Sequence, residues 1–299
     1  MEENIIVNDD CIKFLSKMKP QDQLIDLSFL DPPFNQGKDY RLADDDIPDE
    51  EYWKFMKRVC RLIYNRTSEG GSIYFMQREK NTGQVMKVLE DTGWTYQNLI
   101  IWKKKTSAVP QNKRFGYHYQ IIVFATKGER PRIFNKLRIN PPRLITEKYD
   151  RPNGMYVTDV WDDIRELTSG YFAGDEAIRM ENGERFHKQQ SPISLLLRII
   201  LSSTKVGDLV FDPFSGTGTT LIVAKQLSRR YIGVELDPIN TTMIEERIKE
   251  LRPSDNIERF RKEYFYTENL NELWHPQNLT LDTVFLFRKD LKEENTTQN

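Results

Sequence analysis

The sequence is poor in cysteine, nearly balanced in charge and free of long apolar runs. Cys11 and Cys60 are the two cysteines in 299 residues, without Cys-x-x-Cys spacing, which indicates a reducing compartment and argues against a zinc cluster. There is no apolar stretch of about 18 residues and no signal-peptide pattern, so no membrane partner and a cytoplasmic location are expected. With a formal net charge of -1, any surface for nucleic acid must come from local asymmetry. The full Gly-x-Gly-x-x-Gly is missing and no Gly-Lys-Thr follows the glycine turn, which argues against a nucleoside triphosphate site. What remains is 38% hydrophobic, enough for the core of one large domain or a domain with an insert.

Ile5-Ile6-Val7 reads as a short strand, with Asp9 or Asp10 able to cap a helix from Cys11 to Met18. A second strand is expected over Leu24–Leu30. Residues 39 to 51 carry seven acids and read as a solvated loop, and a helix follows Pro48-Asp49 with Trp53, Met56, Val59, Cys60 and Ile63 on one stripe. Strands at 72–76, 96–102 and 121–124, with a helix near 82–90, give the alternation of a doubly wound sheet.

Asp31-Pro32-Pro33-Phe34 ends the second strand. Neither proline can donate to a ladder, and Asp31 is pushed toward extended geometry by the proline after it. The outcome is a stiff elbow at the carboxyl end of a strand, where open α/β sheets bind ligands. A carboxylate and a neighbouring carbonyl can accept both hydrogens of one exocyclic amine while Phe34 stacks on the attached ring. An ordinary Asp-capped turn has the same sequence, so the elbow does not decide alone.

From Lys103 to Arg151 thirteen Lys or Arg face three acids, a balance of +10, with aromatics interspersed. Such a stripe is the footprint of phosphate-backbone binding, or a solvated basic face. Residues 154–183 continue as a loop-rich insert. Ser191-Pro192 then opens a helix bearing Leu195, Leu196, Ile199 and Ile200, with the proline in its first turn. A strand ends at Asp212, glycines at 216 and 218 turn into a helix to about 227, and a strand over 231–235 ends in Glu235. An acid about 20 residues after a glycine turn commonly accepts ribose hydroxyls, the signature of an adenosine-containing cofactor.

Taken together, the sequence resembles the beta group of DNA amino-methyltransferases. Asp31-Pro32-Pro33-Phe34 resembles their catalytic tetrapeptide, Phe214-Ser215-Gly216-Thr217-Gly218 their S-adenosylmethionine loop, and Asn8-Asp9-Asp10-Cys11 their acidic turn at the cofactor adenine. His187-Lys188-Gln189-Gln190-Ser191-Pro192 is similar to their His-Pro-x-Gln-Lys-Pro element, with Lys188 for its Pro and Ser191 for its Lys. The resemblance implies a Rossmann-like α/β fold, a circularly rearranged doubly wound sheet with a DNA-recognition insert. It divides the chain into a catalytic half (1–102), a last catalytic-half strand with the basic insert (103–186), a cofactor half (187–251) and a partly disordered extension (252–299).

It also implies methyl transfer from S-adenosylmethionine to N6 of adenine in double-stranded DNA, with N4 of cytosine as the alternative. The catalytic residues implied are Asp31, Pro32, Pro33 and Phe34, without a metal. Cofactor contacts are expected from Asp10, Cys11, Asp31, Gln190, Ser191, Asp212, Phe214, Ser215, Gly216, Gly218, Thr219, Thr220, Glu235 and Leu236. DNA contacts are expected from Lys103, Lys104, Lys105, Lys113, Arg114, His118, Arg130 and Arg132. A companion restriction endonuclease and a homodimer are left open. Cytosine C5 chemistry is excluded, because neither cysteine follows a proline. An NAD dehydrogenase would leave the elbow and the basic insert unexplained, and a catalytically silent DNA-binding relative would not need Asp31 and Phe34.

Overall fold

The computed structural model describes residues 3–19, 25–37, 42, 45–106, 110, 112–140, 151–167, 174–180, 182–186 and 190–274. Expectations falling on residues 38–41, 43–44, 141–150, 171, 187–189 and 275–299 lie outside the described residues.

Eight strands form one sheet in the order β1 (Ile5–Asn8), β10 (Arg230–Glu235), β9 (Leu209–Asp212), β2 (Ile25–Leu30), β3 (Thr67–Arg78), β5 (Tyr119–Lys127), β4 (Trp94–Lys103), β8 (Val160–Trp161). Neighbours are parallel, except that β5 runs antiparallel to both β3 and β4. The Rossmann-like doubly wound fold therefore holds. Buried parallel strands have no polar face, which is why β2, β9 and β10 read as nearly continuous apolar runs.

Helices cover both faces. Leu27 and Phe29 pack toward α4 (Ile193–Ser203), α5 (Thr219–Gln226) and the C-terminal residues, whereas Ile25 and Leu30 pack with α1 (Cys11–Lys17), α2 (Asp49–Arg66) and α3 (Thr82–Asp91). A register shift between Ile25 and Leu27 puts these two, of equal parity, on opposite faces. On α2, Met56, Val59, Cys60 and Ile63 are fully buried, while Trp53 is half-buried. Pro192 caps α4 and stands just outside its first turn.

Three expectations change. First, β1 pairs with β10, so the N-terminal strand and α1 belong to the cofactor side and not to the catalytic half (1–102) that the resemblance implies. Second, the antiparallel β4–β5 pair splits the basic stretch between the two edges of the sheet. Lys103 pairs with Tyr119 on the edge that carries Asp31, whereas Lys127 lies opposite Trp94 on the other edge. Third, the segment beyond residue 251 is part of the core through residue 274. Ile257, Tyr264, Leu270, Leu273 and Trp274 are buried against α4 and α5, and α7 (Leu270–Leu273) closes the described chain.

Candidate active site

Asp31 follows β2 directly, and Ser191 Oγ donates to its Oδ2 at 2.9 Å. The elbow is braced from behind. Tyr52 of α2 donates its hydroxyl to the Pro33 carbonyl at 2.8 Å and accepts from Gln77 Nε2, wholly buried in β3, at 2.8 Å. Phe34 is buried. Just beyond it, Asp45 accepts the amides of Asn35 and Gln36 at 2.6 and 3.2 Å. Asp45 is thus buried and not part of a solvated loop, because the turn after two prolines leaves amides that need an acceptor.

The second centre starts at Asp212, where β9 ends. Gly216 N donates to Glu235 Oε2 at 2.8 Å, while Asp237 N and Asn240 Nδ2 donate to Oε1 at 3.0 and 3.2 Å. Glu235 therefore ties the glycine turn to the start of α6 (Pro238–Lys249) before any ligand is considered. Gly218 holds the left-handed cap position of α5 at φ 74°, and a Cβ there would lie 2.7 Å from Ile244 of α6. Its glycine serves the turn and helix packing, and Gly218 itself is outside the cavity wall.

Both centres open onto one cavity of about 850 Å³. Asp31, Pro32, Pro33, Phe34 and Ser191 form one part of its wall. Asp212, Phe214, Ser215, Gly216, Thr219, Thr220, Glu235 and Leu236 form another, and Asp10 and Cys11 reach it from α1. Asp10 also caps α1 by accepting from Lys13 N at 2.9 Å. Burial raises the Cys11 thiol to about 12, which keeps it protonated at neutral pH. Burial likewise pushes Asp212 up to about 7, with the charges of Asp31 and Glu235 adding to the rise, and it raises Glu235.

Several expected residues stand elsewhere. Gln190 is buried, but its side chain accepts from Ile178 N and donates to the Glu176 carbonyl, so it holds the chain before α4 and is outside the cavity wall. Lys104 folds over the Trp102 ring, half-buried, and burial lowers its ammonium to about 7. Arg132 donates to Asp208 at 2.6 Å and pairs with Asp26 at 2.9 Å, at the amino ends of β9 and β2. It lies on the edge opposite the elbow, as does exposed Arg130, two residues before it. Lys103, Lys105, Lys113 and Arg114 are exposed on the elbow side, and His118 is half-buried there. Sequence reasoning missed Tyr52, Phe29, Phe55 and Asn240, together with Met180, Arg185 and Phe186 of the insert. Their part in the cavity follows from long-range packing, which leaves no local signal.

Comparison with known proteins agrees with this geometry. The DNA methylase family model N6_N4_Mtase matches residues 25–246. The Type II methyltransferase M.HinfI of Haemophilus influenzae is 32% identical over 275 residues, covering 85% of this chain and 70% of that protein. Among solved structures, the M1.HpyAVI–SAM complex superposes with a TM-score of 0.55 at 21% identity, covering 82% of this chain and 99% of the other. The PvuII DNA methyltransferase, described as cytosine-N4-specific, gives 0.60 at 16% identity, covering 89% and 92%. With a family model spanning most of the chain and a curated relative at this identity, the chain belongs to the N6/N4 DNA methylases.

Proposed function

We propose that the protein transfers a methyl group from S-adenosylmethionine to N6 of adenine in double-stranded DNA, as a member of a restriction-modification system. The observation that carries this is the opening of the elbow and the Gly216–Glu235 turn onto a single cavity. The cavity suits this cofactor. Phe214, Leu236 and Ile239 offer apolar surface to a purine, Glu235 Oε2, which accepts from Gly216 N, keeps room to accept from a ribose hydroxyl, and the Asp31 carboxylate favours a cationic ligand. The cofactor supplies a methyl group already activated on a sulfonium.

The chain's own residues then position the base. A target nucleotide leaves the stack at a cost of about a few kcal/mol and enters against Phe34. The Asp31 carboxylate and the Pro32 carbonyl accept the two amino hydrogens, which turns the nitrogen lone pair toward the methyl group. Ser191 on Oδ2 and Tyr52 on the Pro33 carbonyl fix the orientation of these acceptors, so their alignment is set before substrate arrives. Adenine is favoured by Asp31, since the family's cytosine enzymes more often have Ser in this place, and a carboxylate gives the stronger, charge-assisted hydrogen bond.

The test is incubation with methyl-labelled S-adenosylmethionine and unmethylated duplex DNA, followed by mass spectrometry of the nucleosides. N6-methyladenine is expected. N4-methylcytosine in its place would overturn the choice of base, and no methylated nucleoside would overturn the enzymatic reading. Asp31→Ala in the same assay should lose transfer while cofactor binding by calorimetry largely survives.

A further inference from the structure

Phe115 is 93% exposed in the connection between β4 and β5. Scattered exposed apolar residues are ordinary, but the surroundings of this one are specific. The connection leaves and re-enters the sheet on the edge that carries the elbow, since Gln120 of β5 pairs with Arg78 at the end of β3. Arg78 Nη1 donates to Gln36 Oε1 at 3.1 Å, two residues beyond Phe34. The same guanidinium lies 5.8 Å from the Tyr117 ring centre, and that of Arg114 lies 4.6 Å from it. Tyr117 thus has two guanidinium groups near its ring, one of them bonded to the elbow's own loop. Lys113 and Arg114 are exposed immediately before Phe115. Cations bring a phosphate backbone to this place, and a bare phenyl ring there gains by leaving water for a flat apolar site. A base stack with one nucleotide removed is such a site.

From this placement, and resting on the reading that the protein flips a base of duplex DNA, we infer that Phe115 is a wedge. It enters the duplex beside the target and fills the gap left by the nucleotide carried to Phe34. It is a positioning residue, touching neither the cofactor nor the reacting nitrogen, and it acts by making the extrahelical state less costly.

The experiment uses the full chain and two duplexes containing its methylation site, mapped beforehand by sequencing methylated phage-length DNA. One duplex is fully paired, and the other has an abasic position opposite the target base, so that opening costs less. Phe115→Ala should lower the single-turnover rate on the paired duplex by about tenfold or more, and by much less on the abasic one. Phe115→Trp should restore the rate on the paired duplex, and calorimetric cofactor affinity should be unchanged in both variants. Equal loss on the two duplexes would make Phe115 a plain binding residue, and no loss on either would remove it from the reaction; each result overturns the inference. Failure of the unaltered protein to methylate either duplex would instead overturn the enzymatic reading.

Discussion

Asp212 is 3% exposed where β9 ends, and its Oδ1 accepts from Phe214 N at 3.0 Å. Burial is the largest cause that raises its carboxyl to about 7, and the charges of Asp31 and Glu235 add to it. An unfolded chain releases this proton near pH 4, so between about pH 4 and 7 the folded chain holds more protons than the unfolded one. Stability contributed by this group therefore falls as pH rises through that window. Asp212→Asn keeps an oxygen for Phe214 N and cannot ionise. Its melting temperature should decline less than that of the unaltered protein between about pH 5 and 8, measured by calorimetry without cofactor. Equal declines would show that Asp212 titrates normally. Tyr52 illustrates the opposite kind of residue, one that is neutral throughout. Burial raises its phenol well above the ordinary range, so it remains a donor to the Pro33 carbonyl at every physiological pH.

The turn from β9 into α5 shows what an element asks of one residue. Gly218→Val would place a branched side chain at φ 74°, against Ile244 of α6. Strain and overpacking together should cost about 1–3 kcal/mol, read as a lower melting temperature before any cofactor is added. An unchanged melting temperature would show that α6 yields at no cost. Here the motif was legible and its purpose was not, because a glycine's neighbours across a helix pair are invisible along the chain. The strands were legible because burial on both faces leaves continuous apolar runs, as in Leu209-Val210-Phe211. The partner of β1 was not, since β10 lies more than 200 residues away. The segment over Ile257–Tyr264 escaped notice for another reason. Its Ile257, Phe260 and Tyr264 do fall at the i, i+3, i+7 spacing of an amphipathic helix, but charged residues fill every position between them, so the stretch reads as polar.

Across the whole molecule, the C-terminal residues and the two sheet edges set how the site is supported and how charge is distributed. Asp255, fully buried, accepts from Arg247 Nε and Nη2 at 2.8 Å each, and Arg247 Nη1 donates to the Thr217 carbonyl at 2.6 Å. The glycine turn is thereby fastened from behind by a segment outside the matched family region. Arg229, also buried, joins the Thr204 and Leu273 carbonyls in the same layer. The stretch that reads as one basic stripe in sequence is divided by the hairpin in space. Lys103, Lys105, Lys113 and Arg114 stand exposed on the elbow side, whereas Arg132 is engaged with Asp26 and Asp208 on the far side. DNA held with its target at Phe34 can meet the first group and not the second. Neutralising those four residues together should weaken duplex binding and flatten the plot of log affinity against log salt, by about 0.9 for each phosphate that no longer meets a cation. Replacing Arg132 by Met should leave that slope unchanged and lower the melting temperature, because two carboxylates lose their shared cation. Fluorescence anisotropy with a labelled duplex across a salt series measures the slopes, and calorimetry the melting temperature. A slope that responds to Arg132 and ignores the elbow-side group would mean that DNA lies on the other edge of the sheet.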